Sequence, residues 1–292
     1  LEEFDIQIQD SEKKEEKDEE PQLFLTSTQF TSKAFLRQLI EEKEEAQIQY
    51  AIKLEKVGDK YMEMGLIEKG LNEYEEALMM NEDLMRAEES AELCFKMGQA
   101  WKETQNYPKA VEYVLKAETY FSKLRNYLKL PLYFDTLKEV ADLFWIKRDF
   151  DKSEMYLRNC LKALERSELK GKQEMKVDIR IQLASIFEKK GKKEECKDLV
   201  SQSLPLFHHL SSSINPKSLI MLRLKIGDLL EKVGNLSAAS GSYRKARKLI
   251  NKLGNEDINI ELRIELERRE LSLADRKGDE GRLGILLSSF SQ

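Results

Sequence analysis

Proline and glycine are scarce in this chain, 5 and 13 of 292 residues, while 35% of the residues are charged. That balance suits helices with wet outer faces. No apolar run approaches the ~18 residues a membrane span requires, which excludes a transmembrane helix. Histidine is nearly absent. The two present, His208 and His209, are neighbours, and adjacent residues point to different sides of a helix, so they make a poor joint metal site and are expected at a solvated helix end. The three cysteines, Cys94, Cys160 and Cys196, lack metal-type spacing, and an odd, unpaired count fits a reducing compartment. Gly-rich phosphate loops, zinc motifs and nucleophile elbows are all missing. There are 54 carboxylates, but nothing singles out a pair for acid–base work. No catalytic residue, metal or cofactor is therefore expected, and the protein is expected not to be an enzyme.

What is present is a repeat of small residues. Gly58, Gly98, Ala141, Ala184 and Gly227 follow one another at intervals of 40, 43, 43 and 43 residues. Twelve residues after each stand Gly70, Ala110, Ser153, Cys196 and Ala239, and seven further on Ala77, Ala117, Cys160, Ser203 and Ala246. Small residues are needed where two helices cross closely, and a period near 40 with such a lattice marks a helical solenoid. Cys160 and Cys196 occupy lattice positions, so packing accounts for them. Around the lattice, apolar residues such as Ile52, Leu54, Val57 and Tyr61 keep helical spacing.

Each unit reads as helix A, a tight turn and helix B. Gly65, Gly191 and Gly234 share one turn offset, where a left-handed conformation suits glycine. Gln105 and Arg148 hold that offset in the second and third units, whose turns are expected to differ. Residues 1–30 are expected to be an acidic disordered tail; residues 1–22 alone carry a net charge of −7, which leaves +2 for the rest of a chain at −5. Thr31 and Ser32 can cap a first helix beginning near Lys33. Residues 31–292 form a single solenoid, with repeats near 48–80, 88–122, 132–169, 175–210 and 217–252. An atypical cap follows near 258–290, where Leu271, Leu283 and Phe290 stand at lattice offsets and Gly278 at the turn.

The segments Val57-Gly58-Asp59-Lys60-Tyr61 with Gly65, Gly70, Tyr74 and Ala77, Met97-Gly98 with Trp101, Ala110 and Ala117, and Ile226-Gly227 with Gly234, Ala239, Tyr243 and Ala246 resemble the tetratricopeptide repeat (TPR) family. The usual TPR period is about 34 residues; the longer units here resemble those of kinesin light chain and related adaptors. The resemblance implies an all-α, right-handed α-solenoid of five TPR-like hairpins plus the C-terminal cap, and a concave wall built by the A helices.

Carried onto this sequence, the family's wall offsets give Ile52, Glu55, Asp59 and Met62, then Glu92, Phe95, Gln99 and Lys102, then Asp135, Lys138, Asp142 and Trp145. The fourth unit supplies Asp178, Ile181, Ser185 and Glu188, and the fifth Met221, Leu224, Asp228 and Glu231. Their net charge is −7, so the remainder of residues 23–292 carries +9. An acidic wall steers basic ligands, with Phe95, Trp145, Ile181 and Leu224 as apolar anchors. The clamp of Lys, Asn and Arg by which some TPR domains hold acidic chaperone tails is not assembled at Glu55, Asp59, Gln99, Lys138 and Asp142. Trp101 is expected in the core and Trp145 towards the inner face. The basic group Lys189, Lys190, Lys192 and Lys193 reads as a solvated turn rather than a nucleic-acid patch.

The expected function is a non-catalytic scaffold or adaptor holding a Lys/Arg-rich protein segment in this groove. Two alternatives stay open: a structural subunit docking through convex or end surfaces into a larger, for instance cytoskeletal or ciliary, assembly, and an RNA-binding solenoid. The expected location is cytoplasmic, with nucleus, cytoskeleton or cilium as alternatives.

Overall fold

The computed structural model describes residues 27–210, 215–252 and 257–278; the expected tail over residues 1–26 and the cap beyond Gly278 lie outside them. Among the described residues there are eleven α-helices and no strand. They are α1 (Ser27–Glu63), α2 (Ile67–Asp83), α3 (Ala87–Glu103), α4 (Tyr107–Lys123), α5 (Pro131–Ile146), α6 (Phe150–Arg166), α7 (Lys172–Lys189), α8 (Lys193–Leu210), α9 (Pro216–Lys232), α10 (Leu236–Lys252) and α11 (Asp257–Lys277), with a single 3-10 turn at Tyr127–Lys129. Helix α1 begins before the expected cap: Thr31 and Ser32 are already helical, as are residues 27–30 of the expected tail. A compact unit starts at Ile48; residues up to Gln47 form a separate one. In the latter, Phe35, Leu36, Leu39 and Ile40 are exposed on one side of α1.

Within the unit from Ile48, A helices (α1, α3, α5, α7, α9) alternate with B helices (α2, α4, α6, α8, α10). All fifteen lattice positions are buried, and they are where the two helices of a hairpin meet. A β-carbon added to Gly98 would lie 2.3 Å from Val114 Cγ2, and one on Gly58 2.6 Å from the Tyr74 ring. Ser153 shows the crossing directly, since its hydroxyl donates to the carbonyl of Ala141 at 2.8 Å. The three cysteines are buried, and burial raises the thiols of Cys94 and Cys160 to about 12 and that of Cys196 to about 11, consistent with packing rather than reactivity.

Buried apolar residues fall into successive groups along the chain: one around Leu54, Tyr74 and Met97, the next around Val114 and Phe144, a third around Phe134, Leu157 and Ile179, and a last around Phe187, Ile220 and Tyr243. Each hairpin thus buries its apolar faces against its neighbours, as a solenoid does. Trp101 is half-buried at the joint between the first two groups, with the Lys109 ammonium 4.1 Å from its ring centroid, rather than fully in the core.

The turns are more uniform than expected. Gly65, Gly191 and Gly234 have φ of 72°, 74° and 86°, and Gln105 and Arg148 adopt the same left-handed conformation at 61° and 60°. The backbone bonds agree: Gly65 N–H donates to Met62 O and Leu66 N–H to Tyr61 O, as Gln105 does to Lys102 and Asn106 to Trp101. This paired closure of a helix C-terminus is the Schellman motif. Its two bonds hold Gln105 and Arg148 where an L side chain is strained by about 1 kcal/mol. Gln105→Gly and Arg148→Gly are each expected to stabilise the protein by about 0.5–1 kcal/mol, read as a raised urea midpoint.

The basic turn at Gly191 is tied to structure. Lys190 pairs with Asp151 and with Glu154, and Lys192 lies 5.7 Å from the Phe187 ring centroid. His208 and His209 lie on α8, with side chains outside the described residues.

Candidate functional site

The wall positions do share the A helices, but their side chains divide into three kinds. The apolar residues expected as anchors are largely core: Phe95, Ile181 and Leu224 are 8%, 1% and 1% exposed. All three stand three residues before the first lattice residue, a position that points into the seam between consecutive hairpins. Trp145 differs. It is half-buried, packed edge-to-face on Phe150 with centroids 5.1 Å apart, and it lines a cavity.

Six of the nine wall carboxylates are already paired, mostly with bases of the next A helix. The Lys96 ammonium reaches Glu55 at 2.9 Å and Asp59 at 2.7 Å. Lys138 of α5 pairs with Asp178 of α7 at 2.7 Å, and Lys232 of α9 lies 3.8 Å from Glu188 of α7. Arg269 and Arg276 of α11 pair with Asp228 at 2.7 Å and Glu231 at 3.2 Å. Lys102 makes a similar link to Glu139 at 2.6 Å. Charge on this face therefore fastens hairpin to hairpin.

Two of these sites share one design. Asp59 and Asp228 each follow a lattice glycine, over which a B-helix tyrosine lies: Tyr74 donates to Asp59 at 2.6 Å, and Tyr243 to Asp228 at 2.8 Å. A base two residues before the next lattice position, Lys96 or Arg269, completes each site. Burial opposes ionisation of Asp59, but hydrogen bonds from Lys96 and Tyr74 outweigh it and hold its carboxyl below the ordinary range.

Glu92, Asp135 and Asp142 have no ion-pair partner among the described residues. Burial raises the pKa of all three, and Glu55 and Glu88 add to it for Glu92 and Asp178 for Asp135; nearby lysines offset it only in part, Lys96 at Glu92, Lys138 at Asp135, and Lys102 with Lys138 at Asp142. Asp142 borders a cavity of about 300 Å³ with Trp145, Gln182, Ser185 and Lys225. A neighbouring cavity of about 390 Å³ sets Asp135, Glu174 and Asp178 against Lys138, Lys217 and Lys225, so the face is of mixed charge there rather than acidic.

Gln182, Lys225 and Lys96 are absent from the wall positions read from sequence. All stand two residues before a lattice residue, an offset that also holds Glu139. That shared spacing was the signal that would have found them.

No family model matches the chain, and no curated protein matches its sequence. Solved structures do. BtubC from P. vanneervenii superposes with a TM-score of 0.62 at 15% identity, covering 75% of this chain and 87% of that one. Apo RapI gives a TM-score of 0.60 at 13% identity, covering 82% and 94%. A point variant of nearly identical TPR-like repeats from a Podosopora anserina protein assigned as a kinesin light chain gives 0.56 at 13%, covering 71% and 97%. The fold is that of a TPR-like α-solenoid. Identities this low carry the fold alone. Among the described residues no helix is long and apolar enough to cross a membrane.

Proposed function

We propose that this protein is a non-catalytic interaction scaffold whose A-helix face holds a partner segment through a few basic side chains. The supporting observation is the set of wall carboxylates left unpaired, Glu92, Asp135 and Asp142, on the adjacent helices α3 and α5. A part-buried carboxylate held in no ion pair costs stability, and such cost is commonly retained where a ligand supplies the pairing charge. The partner is accordingly a Lys/Arg-containing protein segment; an RNA backbone, which needs inward Lys and Arg in excess of carboxylates, suits this part of the face poorly, since its lysines are matched by carboxylates.

The test is fluorescence anisotropy with a labelled Lys/Arg-rich peptide at low and high salt. Asp135→Asn with Asp142→Asn is expected to weaken binding about tenfold or more. A matched pair on B helices, Glu165→Gln with Asp198→Asn, is expected to leave it unchanged. Equal effects from the two pairs, or tighter binding of an acidic peptide, would sink the reading. A second reading, docking through an end surface into a larger assembly, is favoured by the exposed Phe35, Leu36, Leu39 and Ile40. In that case Leu36→Glu with Ile40→Glu removes association and the wall pair does not.

A further inference from the structure

Asp142 occupies the repeat position that Asp59 and Asp228 occupy in the first and fifth units, immediately after the first lattice residue. Both elements that complete those two sites are changed around it. The B-helix residue lying over the lattice residue is Leu157 where Tyr74 and Tyr243 stand elsewhere, so no hydroxyl donates to the carboxylate. The residue two before the next lattice position is Gln182 where Lys96 and Arg269 stand elsewhere, so no base arrives from the following helix. In the other two units this position holds Gln99 and Ser185, which require no counter-charge.

No lining side chain of the cavity beside Asp142 donates a hydrogen bond to its carboxylate. The Gln182 Oε1 atom is buried with no hydrogen-bond partner. The two serines that line the cavity have spent their protons on backbone carbonyls, Ser153 on Ala141 and Ser185 on Ile181. Trp145 supplies an aromatic surface. Lys225 is the one lining side chain with a charged donor. It is exposed, and it is shared with the neighbouring cavity that contains Asp135, Glu174 and Asp178.

We propose that this cavity is a pocket for one arginine side chain of the partner segment, whose guanidinium pairs with Asp142 and stacks on Trp145. The inference rests on the scaffold reading above and specifies its anchor. A guanidinium carries five donors and no acceptor, which suits a carboxylate that receives no hydrogen bond from the lining. Its planar fork can give a carboxylate two parallel bonds, and it is weakly enough hydrated to stack on an indole. The incoming arginine thus does for Asp142 what Lys96 does for Asp59 and Arg269 does for Asp228.

The experiment uses the full chain and the blocked peptide acetyl-Gly-Gly-Arg-Gly-Gly-amide, followed by the indole N–H resonances of the two tryptophans, with Trp145→Phe to assign them. The peptide is expected to move the Trp145 signal and leave Trp101 in place. Asp142→Asn is expected to weaken binding about tenfold or more, since it removes a charged hydrogen-bond partner. Gln182→Lys supplies the cation from within and is expected to abolish binding while raising the unfolding midpoint. Lys225→Ala is expected to tighten binding by relieving repulsion. A citrulline peptide that binds as well as arginine, a Trp145 signal that does not move, or Gln182→Lys that still binds would overturn the proposal. So would free arginine binding more tightly than the blocked peptide, which would remove the partner segment as the source. Should Asp142→Asn fail to fold, the citrulline comparison and Gln182→Lys still decide. If a Lys/Arg-rich peptide binds with salt sensitivity while Trp145 stays unmoved, the pocket fails and the scaffold reading stands. If the single-arginine peptide docks but the Lys/Arg-rich one shows no salt-sensitive binding, the pocket stands and the scaffold reading fails.

Discussion

Gly227→Ala is expected to destabilise the protein by about 3 kcal/mol, whereas Gly241→Ala, fourteen residues on in the chain, stabilises it by about 0.5–1 kcal/mol. The same added methyl group meets opposite surroundings. At Gly227 the new β-carbon would lie 2.1 Å from Tyr243 Cε1, 2.6 Å from Cδ1 and 2.7 Å from Cζ. The ring has nowhere to retreat, because Tyr243 is fully buried and its hydroxyl is bonded to both Asp228 and Glu231. Helices α9 and α10 must therefore separate, and every apolar contact along their shared face weakens with them. At Gly241, inside α10, nothing lies within 4 Å of the added carbon. The change there only removes the backbone freedom that glycine gives the unfolded chain. Urea unfolding of the two variants against the parent measures both signs. A neutral Gly227→Ala would mean that the lattice glycines are not there for close helix contact.

The lattice was legible in sequence because each of its positions admits so little: only a few small side chains fit beneath a tyrosine or valine of the opposite helix. The turn chemistry was legible where glycine stood and misleading where it did not. The preference of Gln105 and Arg148 for other conformations is worth about 1 kcal/mol, less than the two backbone bonds and the neighbour packing that the Schellman closure secures. On the wall, the carboxylates were found but not their pairing. Lys96, Gln182, Lys225 and Arg269 share one offset two residues before the lattice, and each stands beside the preceding unit rather than its own. A pattern read unit by unit does not show such a relation. Phe95, Ile181 and Leu224 misled because the position three before the lattice residue turns into the seam. Where that position carries charge, as at Glu55 and Lys138, the structure provides an ion-pair partner.

Asp59→Asn and Asp142→Asn, identical changes at equivalent positions, are expected to move stability in opposite directions. Burial works against the Asp59 carboxylate, but bonds from Lys96 and Tyr74 overcome it, so its pKa falls below the ordinary 3.8. Such a group contributes stability above its unfolded value, and that contribution is lost as pH falls through the lowered, folded one. Asp59→Asn is thus expected to cost about 1 kcal/mol at neutral pH, the low end for a charged hydrogen-bond site because Asp59 is part exposed. For Asp142 burial outweighs the attraction of the nearby Lys102 and Lys138 ammonium groups, and the pKa rises above 3.8. The folded state then binds the proton more tightly than the unfolded one, so the native ionised carboxylate is a cost at neutral pH that disappears as pH falls through the raised value. Asp142→Asn is expected to stabilise by about 0.5–2 kcal/mol at neutral pH, the range usual when a strained functional group is removed, and to gain nothing in acid where Asp142 is already protonated. Thermal unfolding of both variants from neutral pH down to the carboxylate range gives the two signs directly. A loss of stability from Asp142→Asn at neutral pH would show that its carboxylate holds the fold together, and would remove the reason to expect a ligand beside it.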